Sequence, residues 1–324
     1  MHSIFFQLSI AQWVNDKVTT FVDSYGDAFH NFSILILRDV LVPLEGVLRA
    51  CPPWLILVVA GALGWHASRK FSAALLFVVL LYAIGCFGLW DKLMQTFALM
   101  LVATVISVVL GIPLGILCAA SARLRRVLLP ILDIMQTLPS FVYLIPVLML
   151  FGLGQVPAIF ATVIYALPPL IRLTDLGIRY VDAEIVEAAR SFGSTRMQLL
   201  LNVQLPLARP SIMAGINQTT MMALSMVVIA SMIGSRGLGE DVLAGIQTLD
   251  VGKGMQAGIA IVILAIVIDR ITQGYGQNRR QRRVVIRQQQ GKRTHRFPFL
   301  SMLRRTDRVD DSIAQTEPAG QRTQ

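Results

Sequence analysis

Charged side chains are scarce in this chain and are missing from several long stretches. Asp, Glu, Lys and Arg make up 15% of its 324 residues, against about 25% in a soluble globular protein. Four long uncharged stretches cover residues 71–90, 93–122, 134–171 and 210–235. Because about 20 apolar residues cross the hydrocarbon core of a bilayer, the composition excludes a soluble globular protein and predicts a membrane protein.

The uncharged stretches also predict the number of membrane-spanning helices. The stretch 134–171 is too long for one span and breaks at the Gly- and Pro-containing residues 152–157, which gives two helices. Two shorter uncharged stretches, 51–68 and 254–268, each add one span. We therefore expect an all-α membrane protein with about seven transmembrane helices.

Side chains that carry chemistry are few and scattered. The four histidines are far apart, and the three cysteines have no paired or metal-binding spacing: Cys51, Cys86 and Cys118. A phosphate-binding loop of the form G-x-x-x-x-G-K-[ST] is missing, because neither Gly-Lys pair of the chain is followed by Ser or Thr. We expect no catalytic residue, no metal and no cofactor in this chain.

Basic residues are concentrated in alternate loops between the expected spans. They are Arg69 and Lys70 in one loop, Arg123, Arg125 and Arg126 in the second, and Arg172, Arg179, Arg190, Arg196 and Arg209 in the third. Short loops rich in Lys and Arg stay in the cytoplasm. We therefore expect a bacterial inner-membrane protein with its N-terminus outside, its C-terminus inside and residues 182–209 in the cytoplasm.

The first 50 residues form an extracytoplasmic extension in this topology, with an amphipathic helix over residues 32–48. Apolar residues recur there at helical spacing, but Arg38, Asp39 and Glu45 interrupt them. Such a helix lies on the membrane surface, packs against the transmembrane core, or does both. After it, we expect residues 51–95 to form peripheral transmembrane helices.

The end of the chain, residues 276–324, is strongly basic. Residues 279–308 contain eleven Lys or Arg and one Asp, a net charge of +10. Basic residues beside a membrane attract anionic lipid at about 1 kcal/mol each. We expect a disordered cytoplasmic tail that binds anionic lipid, because nucleic-acid binding, the alternative partner of a basic segment, fits a multi-span membrane protein less well.

A polar segment, residues 187–206, lies between two of the long apolar stretches. Seven of its positions form the pattern of interest: Glu187, Ala188, Ala189, Gly193, Val203, Leu205 and Pro206. Gly193 favours the left-handed conformation that ends a short helix, and Ser194 and Thr195 are suitable N-caps for a second one. We expect Pro206 to end that second helix. The segment therefore predicts two short helices and a tight turn on a membrane face, where another protein docks.

The spacing Glu-Ala-Ala-x3-Gly-x9-Val-x-Leu-Pro of this segment resembles the EAA loop of ATP-binding-cassette (ABC) importer permeases. Residues 96–275 resemble the membrane subunit of a type I ABC importer, with its coupling loop at 182–209. The later part resembles the glycine betaine/proline betaine permeases of osmoprotectant uptake, through residues 204–219, 223–239 and 261–270.

The resemblance implies the permease subunit of an ATP-driven importer for glycine betaine or a related quaternary-ammonium osmoprotectant. It implies that an ABC ATPase, which binds ATP and Mg²⁺, couples to the seven positions of the loop pattern. An extracytoplasmic substrate-binding protein and a second copy of the permease are the other implied partners. Choline or an amino acid is the alternative cargo, and an ATP-independent secondary carrier is the alternative class.

Polar side chains inside one expected span are candidates for the translocation path. They are Asn217, Gln218, Thr220, Ser225 and Ser231. Polar groups at membrane depth often face a cavity, but Ser and Thr also join neighbouring helices through hydrogen bonds. Both interpretations stay open from the sequence.

Overall fold

Helices account for the regular secondary structure of the residues that the computed structural model describes, 10–276. In chain order they are α1 (Ile10–Ile36), a π-helical segment (Leu37–Leu41), α2 (Val42–Ala50), α3 (Pro53–Ser68), α4 (Phe71–Cys86), α5 (Trp90–Ala120), α6 (Ala122–Thr137), a 3₁₀ turn (Ser140–Tyr143), α7 (Leu144–Phe151), α8 (Gln155–Arg179), α9 (Ala183–Ser191), α10 (Arg196–Leu199), a second π-helical segment (Leu200–Gln204), α11 (Leu205–Ser231), α12 (Leu238–Thr248) and α13 (Val251–Gly276). The all-α fold is confirmed for this range, and the expectations for the basic tail lie outside the described residues.

The long helices follow the uncharged stretches of the sequence. Within residues 10–276, four are long and apolar enough to cross a membrane: Trp90–Ala120, Gln155–Arg179, Arg196–Ser231 and Val251–Gly276. Two bent helix pairs raise the number to six if each pair counts as one span. The expected count of about seven is too high for residues 10–276, because α4, with 16 residues, is shorter than the roughly 20 residues that a span needs.

A proline divides the first of the two helices that were expected in residues 134–171. The helix pair Ala122–Thr137 and Ser140–Phe151 is bent by 110°. The residue before a proline is disfavoured in the helical region, and Leu138, before Pro139, has an extended ψ of 135°. In place of one span, residues 134–151 therefore form the end of α6, a sharp bend and the short helix α7.

Small residues let the central helices α5, α8 and α11 approach one another closely. A Cβ atom added to Gly115 of α5 would lie 2.5 Å from Cβ of Thr174 in α8. One added to Gly177 of α8 would lie 2.6 Å from Cβ of Ser211 in α11. Because lipid is as apolar as the helix surfaces, close packing of this kind is what holds membrane helices together. The three helices form the core of the bundle.

Ion pairs tie helices together at both ends of the bundle. At the end where α8 leads into α9, called the α9 end below, Arg125 of α6 donates to Asp175 of α8 at 3.0 Å. At the opposite end, buried Asp241 of α12 lies 2.5 Å from Lys92 of α5 and 3.6 Å from Lys253 of α13. Ion pairs therefore join neighbouring helices at both ends of the bundle.

The N-terminal helices pack against the central ones. Ile36 and Leu41 are buried in the same apolar cluster as Phe151. Phe29 also meets Phe151 edge to face, with ring centroids 5.4 Å apart. Of the two placements that the sequence leaves open for residues 32–48, packing against the transmembrane core is the one the structure shows.

Candidate functional site

The loop that contains the polar segment, residues 182–209, begins with the short helix α9 (Ala183–Ser191). Asp182 caps α9, because its side chain accepts a hydrogen bond from the Glu184 amide at 3.0 Å. No residue of α9 is buried: Glu187 and Ala188 are exposed and Ala189 is half-buried. Since helices this short are marginal without packing, α9 presents a surface that a second protein can cover.

Gly193 makes the turn after α9, as expected from the sequence. Its φ is +82°, in the left-handed region that glycine reaches at the lowest cost. The amide of Gly193 donates to Arg190 O at 2.9 Å and that of Ser194 donates to Ala189 O at 3.2 Å. These bonds satisfy carbonyl groups at the end of α9 and fix the direction in which the chain returns.

Thr195 caps the next helix through a reciprocal pair of hydrogen bonds. The Gln198 amide donates to Thr195 Oγ1 at 3.3 Å, and the Thr195 amide donates to Gln198 Oε1 at 2.9 Å. This is a capping box, which satisfies two amides that the first helical turn leaves free. Of the two candidate caps in the sequence, the structure uses Thr195.

Thr195→Ala is expected to lower the opening free energy of α10 by about 1 kcal/mol, because it removes the cap. Amide hydrogen exchange at Gln198 measures this local opening. Ser194→Ala is the matched control: the cap of α10 is Thr195 and not Ser194, so the change should stay within about 0.5 kcal/mol. Equal effects of the two variants would contradict the assignment of the cap.

The expectation that Pro206 ends the second helix is wrong. Arg196–Ser231 is one continuous helical stretch of 36 residues, in which Pro206 occupies the first turn of α11. A proline inside an α-helix clashes with the carbonyl four residues earlier. Here Leu200–Gln204 form a wider π-helical turn, and the Leu205 amide donates to Leu200 O, so the chain has room for the ring. Val203 and Leu205 are half-buried in this turn, and Pro206 is exposed.

Large apolar side chains are exposed on both sides of the Gly193 turn along the chain. They form what we call the docking face: Tyr180, Ile185, Phe192, Met197 and Leu201. Phe192, next to Gly193, is 91% exposed. Exposed apolar groups gathered in one place mark interaction sites. The sequence pattern did not identify these residues; the available signal was a large apolar residue in a polar loop.

The candidate residues of the translocation path do not form one site. Thr220 and Ser231 are buried, and their hydroxyls donate to carbonyls of their own helix, Ile216 O at 2.8 Å and Val228 O at 2.5 Å. Gln218 and Ser225 are exposed and, seven residues apart, share one face of α11. A role in the path stays a prediction, and this exposed face is where it has most support.

Asn217 joins two helices. Its side-chain amide donates to Asp269 Oδ1 of α13 at 2.8 Å, and Thr272 Oγ1 donates to Asn217 Oδ1. Gln273 donates to the same Asp269 oxygen at 2.7 Å. The contact favours a connecting role for Asn217. Sequence reasoning did not assign Asp269; the signal for it was a single carboxylate directly after the uncharged stretch 254–268.

The side chains that commonly bind metal ions are scattered in the part of the chain that the structure describes. Among residues 10–276, no group of three or more His, Cys, Asp or Glu is placed to hold a metal ion. The cysteines Cys51, Cys86 and Cys118 are free.

Comparison with known proteins gives close relatives over most of the chain. The family described as binding-protein-dependent transport system inner membrane component matches residues 111–281. The chain is 45% identical over 275 residues to the glycine betaine/proline betaine transport system permease protein ProW of Escherichia coli (strain K12), a match that covers 85% of this chain and 77% of that protein. It is 44% identical to the glycine betaine transport system permease protein OpuAB of Bacillus subtilis (strain 168), over 82% of this chain and 95% of that one.

A solved structure shares the fold. A chain from inward-facing conformations of the MetNI methionine ABC transporter matches with a TM-score of 0.50 and 24% sequence identity. The match covers 57% of this chain and 94% of that chain. The likeness shows an importer-permease fold and carries no information about cargo.

Proposed function

The chain belongs to the family of binding-protein-dependent transport system inner membrane components, and we propose that its cargo is glycine betaine or a related quaternary-ammonium osmoprotectant. It is a permease subunit of an ABC transporter and a multi-pass inner-membrane protein. The cargo is supported by the relatives at 45% and 44% identity, both of which are named for glycine betaine transport.

The partner at the docking face is an ABC ATPase, which binds ATP and Mg²⁺ and hydrolyses the nucleotide. The observation that carries this proposal is the geometry of α9, the Gly193 turn and α10. α9 has no buried residue, and the exposed Phe192 lies at its tip, as in an interface whose apolar anchor fills a pocket of the partner. In this proposal, Glu187, Ala188 and Ala189 contact the ATPase. Val203, Leu205 and Pro206 connect α10 to α11, so that motion of the loop reaches the span.

The α9 end faces the cytoplasm in this proposal, because ATP is there. The N-terminus is then outside and the C-terminus inside, in agreement with the basic loops. The opposite end, with the cluster around Asp241, receives substrate from an extracytoplasmic binding protein. A second copy of the permease completes the pore, and the basic residues 279–308 bind anionic lipid.

Transport assays in proteoliposomes test this function. The wild-type chain, assembled with its ATPase and binding protein, should hydrolyse ATP faster when glycine betaine and binding protein are added, and should accumulate glycine betaine. Phe192→Ala is expected to weaken attachment of the ATPase by about tenfold or more, the effect of losing an interface anchor. Affinity is measured by titrating the ATPase onto immobilised permease.

Leu249→Ala is the matched control, because Leu249 is 86% exposed but lies between α12 and α13 at the opposite end. It should leave ATPase attachment unchanged. If choline or an amino acid stimulates ATP hydrolysis and glycine betaine does not, the proposed identity of the cargo is refuted. Uptake that continues without any ATPase would refute the ATP-driven class in favour of a secondary carrier.

A further inference from the structure

Two ion pairs of opposite polarity join α6 to α8 at the α9 end. Arg125 of α6 donates from Nε to Asp175 Oδ2 of α8 at 3.0 Å, and Arg172 of α8 donates to Asp133 of α6. Each helix therefore supplies one cation and one anion. The two pairs fix α6 against α8 in one register, because sliding either helix would break both.

The two pairs differ sharply in burial. The side chain of Asp175 is 4% exposed, whereas that of Asp133 is 63% exposed. Oδ1 of Asp175 has no hydrogen-bond partner within residues 10–276, so Arg125 is the group that compensates its charge. Breaking a buried pair leaves an uncompensated charge at high cost, while an exposed pair is screened by water and salt. The Arg125–Asp175 pair therefore stays closed when α8 moves.

Asp175 lies close to the docking face along a rigid path. It is one helical turn before Arg179, the last residue of α8, after which the chain enters α9. On either side of it, Thr174 packs against Gly115 of α5 and Gly177 packs against Ser211 of α11. Packing this tight transmits displacement rather than absorbing it.

In α6, Arg125 is connected through the helix to the bend that follows Thr137. It lies in the first turn of α6, whose last residue, Thr137, precedes the 110° bend into the half-length helix α7. The Tyr143 hydroxyl donates to Met135 O across this bend. A displacement of α6 is therefore passed to the helix beyond the bend.

We propose that the Arg125–Asp175 ion pair is a positioning element of the transport cycle. It carries the displacement of α9 and α8 to α6 and α7, and so fixes how many substrate molecules cross per ATP hydrolysed. The inference rests on the proposed function. It concerns a contiguous set of packed groups and ion pairs between two sites, which is one kind of arrangement that carries energetic coupling through a protein.

Neutral variants of the pair test the proposal in the assembled transporter. Asp175→Asn keeps the shape of the side chain and removes its charge. ATP hydrolysis should persist, while glycine betaine transported per ATP falls by about fivefold or more, the lower end of typical coupling between sites. The double variant Arg125→Gln/Asp175→Asn should be no worse than Asp175→Asn alone, because the two residues act as one unit.

Asp133→Asn is the matched control, since it neutralises the exposed pair on the same two helices and should leave the ratio unchanged. If Asp175→Asn leaves the amount of glycine betaine transported per ATP unchanged, whether or not both rates fall, the proposal is overturned. If Asp175→Asn does not assemble, the double variant Arg125→Gln/Asp175→Asn decides, because it leaves neither a buried charge nor an unpaired cation at this contact. A wild-type complex without ATP-driven uptake would instead refute the proposed function.

Discussion

Gly193→Val is expected to weaken attachment of the ATPase by about tenfold or more while the membrane bundle stays folded. Gly193 has a φ of +82°, and a left-handed conformation costs an L-residue about 1–2 kcal/mol, with β-branched residues the least tolerant. A Cβ atom here meets nothing within 4 Å, so the effect comes from the backbone rather than from a clash. Since about 1.4 kcal/mol is tenfold in affinity, titration of ATPase onto the variant measures it directly.

Two further variants separate the turn geometry from general destabilisation. Gly193→Asn should bind the ATPase more tightly than Gly193→Val, because Asn tolerates the left-handed region. Gly88→Val places the same strain at φ +72°, also with no atom within 4 Å, but in the turn between α4 and α5. It should leave ATPase attachment intact. If Gly88→Val also loses ATPase attachment, the docking face responds to any strained turn, and the specific role of Gly193 is refuted.

Gly115→Ala is expected to lower the free energy of unfolding by about 1–3 kcal/mol, the usual cost of overpacking. The added Cβ would lie 2.5 Å from Thr174 Cβ and 2.9 Å from Ile171 O. The second of these is a backbone atom of α8 and moves only with the helix. Denaturant titration of the purified protein in detergent, followed by loss of helical circular dichroism, gives the change.

Gly258→Ala is the control with the opposite expected sign. Gly258 lies inside α13 with nothing within 4 Å of an added Cβ. Ala stabilises an unconstrained helix position by roughly 0.5–1 kcal/mol relative to Gly. Destabilisation by both variants, or by neither, would mean that the close approach of α5 and α8 does not limit stability.

The main spans were predictable because their cause is local. A helix buried in lipid needs an apolar side chain at nearly every position, so the uncharged stretches marked α5, α8, α11 and α13 directly. The two bends were harder to predict. Pro139 was visible in the sequence, but a proline can either kink a helix or divide it. The outcome depends on which neighbouring helices pack against the residues on each side, and here α6 packs against α8.

In the coupling loop, too, some residues were predictable from their neighbours in the sequence and one was not. Gly193 and Thr195 obey rules that involve only their immediate neighbours, a left-handed turn and a capping box, and both expectations about their conformation were confirmed. The rule applied to Pro206 was also local and failed. The chain avoids the expected break by widening one turn before the proline, and the resulting continuity joins α10 to the span α11.

By itself, the sequence determined that the chain is helical, where its long spans lie and where the loop turns, because length, polarity and backbone preference act over a few residues. The tertiary structure decided which polar groups meet. Asn217 bonds to Asp269 and Arg125 to Asp175, partners that lie 52 and 50 residues apart in the sequence. The helices α1 and α2 pack against the central helices. Such contacts depend on how helices pack, and close packing is a property of two surfaces together.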